Sequence, residues 1–178
     1  MFTSDQEGSI AETSIAAVGT RLGIDVYKPL SDGTRCDLIF DISGRLLRIQ
    51  CKWAAKHGDI LVIRCYRNRR TRDGLLRQYY TAEEVDAFAA YSLDLDRAYF
   101  LPFDRFSGHR QIQLRLAPSR NNQKAGINWA EDFEFGATLG IPGAVAQLGE
   151  RQSGTLEVRG SIPLGSTERP SSGRLFGL

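Results

Sequence analysis

The sequence predicts an α/β protein in which a mixed β-sheet is flanked by helices. Three observations lead to this prediction: an amphipathic segment near the start of the chain, later segments in which apolar and polar residues alternate, and one short segment that is apolar almost throughout. Alternation is typical of strands with one face in a core, and a continuous apolar run is typical of a strand inside a sheet. Hydrophobic residues make up 42% of the chain and charged residues 25%, which excludes a wholly disordered chain and a membrane span.

The first predicted element is a helix over residues 9–22. Ile15, Val18 and Leu22 recur at helical spacing, and Gly23 follows at a position where helices commonly end. The apolar stripe predicts a helix that packs one face on the sheet. Glu12 lies on the polar side of this helix.

The next predicted elements are an extended segment over residues 26–30 and a β-hairpin. Residues 36–42 and 45–53 form the two hairpin strands, because Ser43 and Gly44 favour a tight reversal between them. Side chains alternate between the two faces of a strand. The face predicted to point away from the apolar side therefore carries Asp37, Ile39, Asp41, Arg48, Gln50 and Lys52.

The remaining elements complete the order helix, three strands, helix, strands. Residues 60–66 are nearly all apolar and predict a third, central strand, which an arginine-rich loop follows. Thr81 and Glu84 form a capping-box pattern, which predicts a second helix ending near Tyr91. The last predicted elements are two strands, over residues 98–103 and 111–116, and a short helix over residues 127–135.

The basic residues are mostly arginine and are unevenly distributed. The formal net charge is only +2, yet 19 of the 23 basic residues are arginine. The planar guanidinium group matches phosphate oxygens, so an arginine cluster flanked by Tyr66, Tyr79 and Tyr80 is a candidate nucleic-acid surface. The alternative is a solvated loop whose charges pair with the acids around Glu83. The residues predicted to contact DNA are Arg67, Arg69, Arg70, Arg72 and Arg77.

The cysteines and the first residues indicate the cellular compartment. Cys36, Cys51 and Cys65 lie in apolar runs at spacings unlike those of a zinc site, which predicts buried, reduced thiols. Residues 1–8 are polar and acidic, so they lack the basic and apolar parts of a secretory signal. These features predict a cytoplasmic protein without a membrane partner.

The hairpin also carries the candidate chemistry. Asp37 begins one strand, while Gln50 and Lys52 lie two residues apart on the next, so all three side chains can share one face. A metal-dependent phosphodiesterase needs such a set, with a carboxylate to hold Mg²⁺ and a lysine to stabilise the attacking hydroxide or the charge on phosphorus. The Gln50 side-chain oxygen, the Cys51 carbonyl and Glu12 are the further candidate ligands. The structural alternatives are a loop-capping Asp37, a solvated Lys52 and a surface Glu12, for which Glu7 is a competitor.

The pattern of Glu12, Pro29 ahead of Asp37, and then Gln50-Cys51-Lys52 resembles the PD-(D/E)XK nuclease superfamily. It is most similar to the branch that includes a group I intron homing endonuclease, in which glutamine replaces the middle acid and gives a QxK motif. The resemblance covers roughly residues 5–135. Pro29 lies eight residues from Asp37, so the Pro-Asp pair that names the superfamily is absent.

The resemblance implies a restriction-endonuclease-like core with the order αβββαβ and Mg²⁺-dependent cleavage of duplex DNA, with Mn²⁺ as a substitute metal. It implies that Glu12, Asp37 and Gln50 surround the metal, that Lys52 is the catalytic lysine, and that the protein is a homodimer or homotetramer. The expected function is a site-specific DNA endonuclease of the homing or restriction type. A Holliday-junction-resolving or DNA-repair nuclease is the enzymatic alternative, and a DNA-binding protein with a decayed nuclease site is the non-enzymatic one.

The last part of the sequence differs in composition from the rest. Residues 136–178 contain 9 of the 18 glycines and show no apolar period, which predicts a nuclease domain over residues 1–135 and a disordered tail after it. Residues 145–149 and 160–163 admit codons that resemble the D-arm and T-arm of a transfer-RNA gene. We therefore hypothesise that the reading frame runs through such a gene; an ordinary flexible tail is the alternative.

Overall fold

The computed structural model describes residues 1–31, 33–72, 74–118 and 126–140. In these ranges the chain forms a seven-stranded mixed sheet, a separate two-stranded sheet, one long helix and three short helical segments. The described strands are β1 (Asp25–Tyr27), β2 (Leu38–Ile42), β3 (Arg45–His57), β4 (Ile60–Arg64), β5 (Tyr66–Thr71), β6 (Gly74–Tyr79), β7 (Ala87–Ser92), β8 (Arg97–Pro102) and β9 (Gln111–Arg115).

The long helix α1 (Ser4–Arg21) covers one face of the sheet and begins five residues before its predicted start. A capping box at Thr3 explains the earlier start, because the Thr3 hydroxyl accepts the Gln6 N–H and the Gln6 side chain accepts the Thr3 N–H. Gly19 lets the helix approach the sheet closely. A Cβ atom at Gly19 would lie 3.1 Å from the Val26 side chain and 3.3 Å from the Phe40 ring, so a larger residue would require these side chains to shift.

The long strand β3 organises the main sheet. It pairs antiparallel with β2 over residues 45–49, parallel with β7 over residues 49–53, and antiparallel with β4 over residues 54–57. The strand β8 continues the sheet beyond β7, and β9 continues it beyond β4. The predicted hairpin within residues 36–53 is therefore confirmed, and the predicted interior strand is confirmed over residues 60–64, whereas Tyr66 begins β5 of the separate sheet.

Two apolar clusters lie on opposite faces of this sheet. The cluster on the α1 side includes Ile15, Phe40 and Ile49, whereas the cluster on the other side includes Phe88 and Tyr99. Leu38 and Cys51 also belong to the α1 side, so the predicted alternation of the hairpin strands is confirmed. Consequently Gln50 and Lys52 emerge on the face away from α1, and Asp37 lies just before β2, where its pairing with β3 ends.

The predicted helix over residues 81–91 is wrong. The capping-box residues form a single turn, in which the Thr81 N–H donates to the Glu84 carboxylate and the Val85 N–H donates to the Thr81 carbonyl. The chain then leaves the helical path because the Asp86 N–H donates to the Arg48 carbonyl at 2.9 Å. Residues 87–92 follow as β7, which is buried on both faces. A short apolar run fits a buried strand as well as a helix, and pairing with β3 decides between them.

The arginine-rich segment is also more regular than the predicted loop. The strands β5 and β6 pair antiparallel from Tyr66 opposite Tyr79 to Thr71 opposite Gly74, and they form a two-stranded sheet of their own. The rings of Tyr66 and Tyr79 meet edge to face, with their centroids 6.4 Å apart, at the base of this arginine hairpin. The strands β5 and β6, over residues 66–71 and 74–79, therefore present a β-ribbon beside the main sheet.

Short elements complete the described fold. The helix α2 (Phe103–Phe106) connects β8 to β9, and a 3-10 turn over Glu131–Phe133 falls within the segment predicted as a short helix. The helix α3 (Phe135–Thr138) follows and buries Phe135 fully against Phe40 and Phe100. The described structure thus continues five residues past the predicted boundary at 135, and residues 141–178 of the predicted tail lie outside the described residues.

The three cysteines are free thiols, with Cys51 and Cys65 buried and Cys36 half-buried.

None of the helices in the described parts of the chain combines the length and the hydrophobicity that crossing a membrane requires.

Candidate active site

The Asp37 carboxylate lies where the pairing of β2 with β3 ends. The last paired residues are Leu38 and Ile49, and the Asp37 N–H donates to the Ile49 carbonyl at 2.8 Å. The Asp37 Oδ2 atom then accepts the Cys51 N–H at 2.8 Å and a hydrogen bond from the Gln50 Nε2 group. Asp37 is therefore fixed to β3 through both its backbone and its side chain.

The surroundings of Asp37 disfavour its negative charge. Burial raises the pKa of the Asp37 carboxyl above its ordinary value, and the charge of Glu12 raises it further. The hydrogen bond from Cys51 and the charge of Lys52 act in the opposite direction without cancelling the rise. An added cation would favour the ionised form of this carboxyl.

Lys52 is held by uncharged partners. Its Nζ atom lies 3.0 Å from the Tyr80 hydroxyl oxygen, 3.5 Å from the Tyr66 carbonyl oxygen and 4.5 Å from the centre of the Tyr80 ring. Burial lowers the pKa of Lys52 to about 8, while the charge of Asp37 opposes this shift. In the part of the chain that the structure describes, the Lys52 ammonium forms no salt bridge. Its charge is thus available to an anionic substrate.

Glu12 reaches the site from α1. Its side chain is 26% exposed, and its Oε1 atom lies 2.5 Å from Lys28 Nζ, just beyond β1. The charge of Glu12 raises the pKa of the Asp37 carboxyl, and the charge of Lys28 lowers it. Sequence reasoning did not identify Lys28, because no motif or spacing connects the end of β1 with the polar face of α1.

The oxygen atoms available here fit a hard divalent cation. Asp37 and Glu12 provide carboxylates, and Gln50 and the Cys51 carbonyl provide neutral oxygens, all of which are ligand types that Mg²⁺ accepts. The Gln50 Nε2 atom lies 3.4 Å from the Cys51 oxygen, so these two groups face the same space. A half-turn of the Gln50 amide would direct its oxygen to that space. The described residues contain no group of three or more His, Cys, Asp or Glu that could hold a metal, so the neutral oxygens are needed to complete the set.

A second layer of residues supports Lys52 and was not predicted as part of the site. Tyr80 is 7% exposed, so it is not part of the predicted nucleic-acid surface. The Arg35 guanidinium carbon lies 4.6 Å from the Tyr80 ring centre, and Arg35 donates two hydrogen bonds to Glu84. These contacts join segments distant in sequence, which is why no local pattern indicated them.

The arginine hairpin borders this layer. Arg72 and Arg77 are exposed, Arg67 is half-buried, and the Arg77 guanidinium carbon lies 5.2 Å from the Tyr66 ring centre. The side chains of Arg69 and Arg70 lie outside the described residues. Arg67 and Arg35 line a polar cavity of about 410 Å³.

The nearby acids are engaged elsewhere. Glu84 pairs with Arg35, and Asp86 pairs with Arg48, whose guanidinium also donates to the Glu83 carbonyl. Within the described ranges, no salt bridge joins Arg67, Arg72 or Arg77 to an acid. The acids around Glu83 therefore form no ion pair with these three arginines in the described part of the chain.

Comparisons with known proteins agree with this geometry. A sequence model described as PD-(D/E)XK endonuclease matches residues 2–136. A solved structure described as a bacterial homing endonuclease, I-Ssp6803I, is similar over 86% of this chain and 100% of that chain, with 26% sequence identity and a TM-score of 0.63. No curated protein sequence matches the chain.

Proposed function

Because the chain belongs to the PD-(D/E)XK endonuclease family and is therefore a nuclease, we propose that it cleaves duplex DNA at specific sites in a divalent-metal-dependent reaction. The observation that carries the proposal is that Asp37 contacts Gln50 and the Cys51 N–H and interacts electrostatically with Lys52 where the pairing of β2 with β3 ends. The similarity to a bacterial homing endonuclease supports the homing type of activity over the restriction type.

The proposed metal is Mg²⁺, with Mn²⁺ as a substitute, held by Asp37, Glu12, the Gln50 side-chain oxygen and the Cys51 carbonyl. When bound, the cation supplies Lewis-acid chemistry at the scissile phosphate. Asp37 is suited to this role because its carboxyl is fixed by the Cys51 N–H and lies beside Glu12 in a buried setting. Lys28 holds Glu12 at the edge of the site.

Lys52 is the proposed catalytic lysine. Its ammonium group is held near Asp37 by the Tyr80 hydroxyl and the Tyr66 carbonyl, and neither partner neutralises its charge. A cation in a buried site interacts strongly with negative charge that develops during phosphodiester hydrolysis. We infer that Lys52 stabilises the attacking hydroxide or the charge on the phosphoryl oxygens.

The arginine hairpin is the proposed DNA contact. A two-stranded β-ribbon fits the major groove of B-DNA, and arginine binds phosphates or the edge of guanine through two hydrogen bonds. Arg72 and Arg77 are exposed on this ribbon, and Arg67 lies at its base near the site. Each chain carries one site, so cutting both strands of a duplex requires two chains, and we propose a homodimer or homotetramer.

The test is cleavage by the Lys52→Ala variant. We expect the unmodified protein to cut duplex DNA carrying its target with Mg²⁺ and to bind the same DNA without cutting when Ca²⁺ replaces Mg²⁺. Lys52→Ala should reduce the single-turnover cleavage rate at least ~100-fold, the usual scale for losing one electrostatic stabiliser, and leave the DNA dissociation constant nearly unchanged. Lys56→Ala is the matched control, because Lys56 is exposed on the same strand. Full cleavage by Lys52→Ala would contradict the assignment of Lys52 as the catalytic lysine.

The substrate type is tested by one comparison. A linear duplex that contains the sequence flanking the gene is compared with a four-way junction of arbitrary sequence. Preferential cutting of the linear duplex supports the homing type. Preferential cutting of the junction would replace it with a resolving activity.

A further inference from the structure

Tyr80 is the direct neighbour of the catalytic lysine, although it belongs to none of the proposed metal ligands. Its hydroxyl oxygen lies 3.0 Å from Lys52 Nζ, and its ring centre lies 4.5 Å from the same atom. The ammonium therefore contacts both a lone pair and the π-electrons of one side chain. The hydroxyl and the ring both attract a cation, although neither carries a net negative charge.

The Tyr80 ring is itself held in one orientation. On one edge it meets Phe88, with the ring centroids 5.5 Å apart and the planes at 79°. The Arg35 guanidinium lies 4.6 Å from the ring centre, and it is fixed by Glu84 at 2.8 and 3.0 Å and by the Tyr79 carbonyl at 2.7 Å. The hydroxyl therefore occupies a defined position when Lys52 approaches it.

A lysine side chain needs such a holder. Its four-carbon stem is flexible, and confining it to one geometry costs rotamer entropy. A carboxylate partner would confine the ammonium but would also neutralise its charge before the substrate arrives. A neutral phenol confines the ammonium and leaves its charge available for the phosphate.

We propose that Tyr80 is a positioning residue that holds the Lys52 ammonium in place for cleavage, with Arg35 and Glu84 fixing the Tyr80 ring. The inference rests on the proposed function for its catalytic consequence. The contact between Tyr80 and Lys52 is testable without any cleavage assay.

The catalytic test removes one hydroxyl group. Tyr80→Phe should lower the single-turnover rate at saturating DNA about tenfold, while the DNA dissociation constant stays within twofold of the unmodified value. Tyr91→Phe is the matched control, since Tyr91 is also buried and its hydroxyl donates to Asp96 at 2.7 Å, but it lies on the α1 side of the sheet. An unchanged rate in Tyr80→Phe overturns the proposal.

The second readout observes Lys52 directly. The chain has only four lysines, so lysine labelled with ¹³C at Cε should give four resolvable NMR signals, and Lys52→Arg identifies the Lys52 signal by its loss. Tyr80→Phe should shift the Lys52 signal and leave the other three in place, whereas Tyr91→Phe should shift none. A lower rate with an unmoved Lys52 signal means that Tyr80 does not act through Lys52, which also overturns the proposal.

The two readouts separate the inference from the proposed function. If the unmodified protein does not cut DNA, the proposed function fails, and the Lys52 signal alone still decides whether Tyr80 positions the ammonium. If Tyr80→Phe does not fold, Glu84→Gln is the second variant, because it leaves Tyr80 intact and weakens the hydrogen bonds that the Glu84 carboxylate accepts from Arg35 and from the Thr81 N–H. A two- to threefold lower rate with a shifted Lys52 signal is then expected, and an unchanged rate and signal would contradict the inference.

Discussion

Asp37 and Lys52 are both half-buried, and this partial burial shifts the pKa of each group toward the value that favours its neutral form. It raises the pKa of the Asp37 carboxyl and lowers the pKa of the Lys52 ammonium to about 8. Each charge partly opposes the shift of the other. Groups whose pKa values are shifted by both burial and a nearby charge are typical of reactive sites, because a substrate or metal ion that binds there shifts these pKa values again.

The lowered pKa of Lys52 predicts how cleavage depends on pH. The ammonium is charged below about pH 8 and neutral above it in the free protein, and kcat/KM reports ionisation of the free enzyme. We therefore expect kcat/KM to fall as the pH rises through about 8.

Lys52→Arg provides the control for this pH dependence, because guanidinium remains charged in this range. Its rate should be lower overall but should not fall near pH 8. The measurement is kcat/KM from pH 6 to 10 for both proteins. A falling limb that persists unchanged in Lys52→Arg would assign the ionisation to a different group.

At the scale of elements, β3 brings the site together by pairing with different strands along its length. Its pairing with β2 ends beside Asp37, and its parallel pairing with β7 covers residues 49–53, which include Gln50 and Lys52. The side chains of Gln50 and Lys52, which we propose act in catalysis, therefore project from a strand supported by backbone hydrogen bonds. The arginine hairpin adjoins the same strand through the contacts of Lys52 with Tyr66 and Tyr80.

The arginine hairpin predicts a salt-dependent contribution to DNA binding. A single phosphate contact contributes about 0.9 to the slope of log K against log salt concentration for B-DNA. Arg72→Gln and Arg77→Gln should therefore each weaken binding and reduce the slope by about 1. The measurement is the DNA dissociation constant, in Ca²⁺, at several salt concentrations.

Arg21→Gln is the control for the hairpin variants, because Arg21 is exposed at the end of α1, away from the hairpin. It should leave the slope unchanged. If Arg77 instead reads a base edge, Arg77→Gln will weaken binding to the target by ~1–3 kcal/mol more than binding to other DNA. Equal slopes for all three variants would exclude the hairpin as a phosphate contact.

At the scale of the whole molecule, Phe135 joins the end of the described fold to the core. Its side chain is fully buried and meets both Phe40 and Phe100 at centroid distances of 5.7 Å. The family match ends at residue 136, beside this contact. The hypothesis that the tail is encoded by a transfer-RNA gene stays a prediction. Sequencing the locus tests whether the DNA that encodes residues 145–163 can form a transfer-RNA cloverleaf.

Two shortened chains test this description. A chain ending at Gly140 retains Phe135 and should unfold within a few degrees of the full chain and keep its cleavage activity. A chain ending at Glu134 loses a buried phenylalanine, which should reduce the free energy of unfolding by about 3–5 kcal/mol. Thermal unfolding and cleavage of both chains are the measurements. Loss of folding in the chain ending at Gly140 would show that the tail belongs to the domain.

The sequence by itself determined the features that depend on neighbouring residues. The period of two in the hairpin strands assigned Asp37, Gln50 and Lys52 to one face, because alternation needs no information from the rest of the chain. The arginine-rich composition of residues 64–77 likewise indicated a basic surface. The helix propensity and the capping-box pattern of residues 81–91, however, also predicted a helix, and this local prediction is wrong.

Only the tertiary structure decided the features that depend on long-range contact. The segment after Glu84 becomes β7 because the open edge of β3 offers backbone partners, and these outweigh one capped turn. Lys28, Arg35 and Tyr80 reach the site from positions far apart in sequence, so no spacing could identify them. Burial of Lys52 and Asp37, and hence their shifted pKa values, follows from the packing of all these elements around the hairpin.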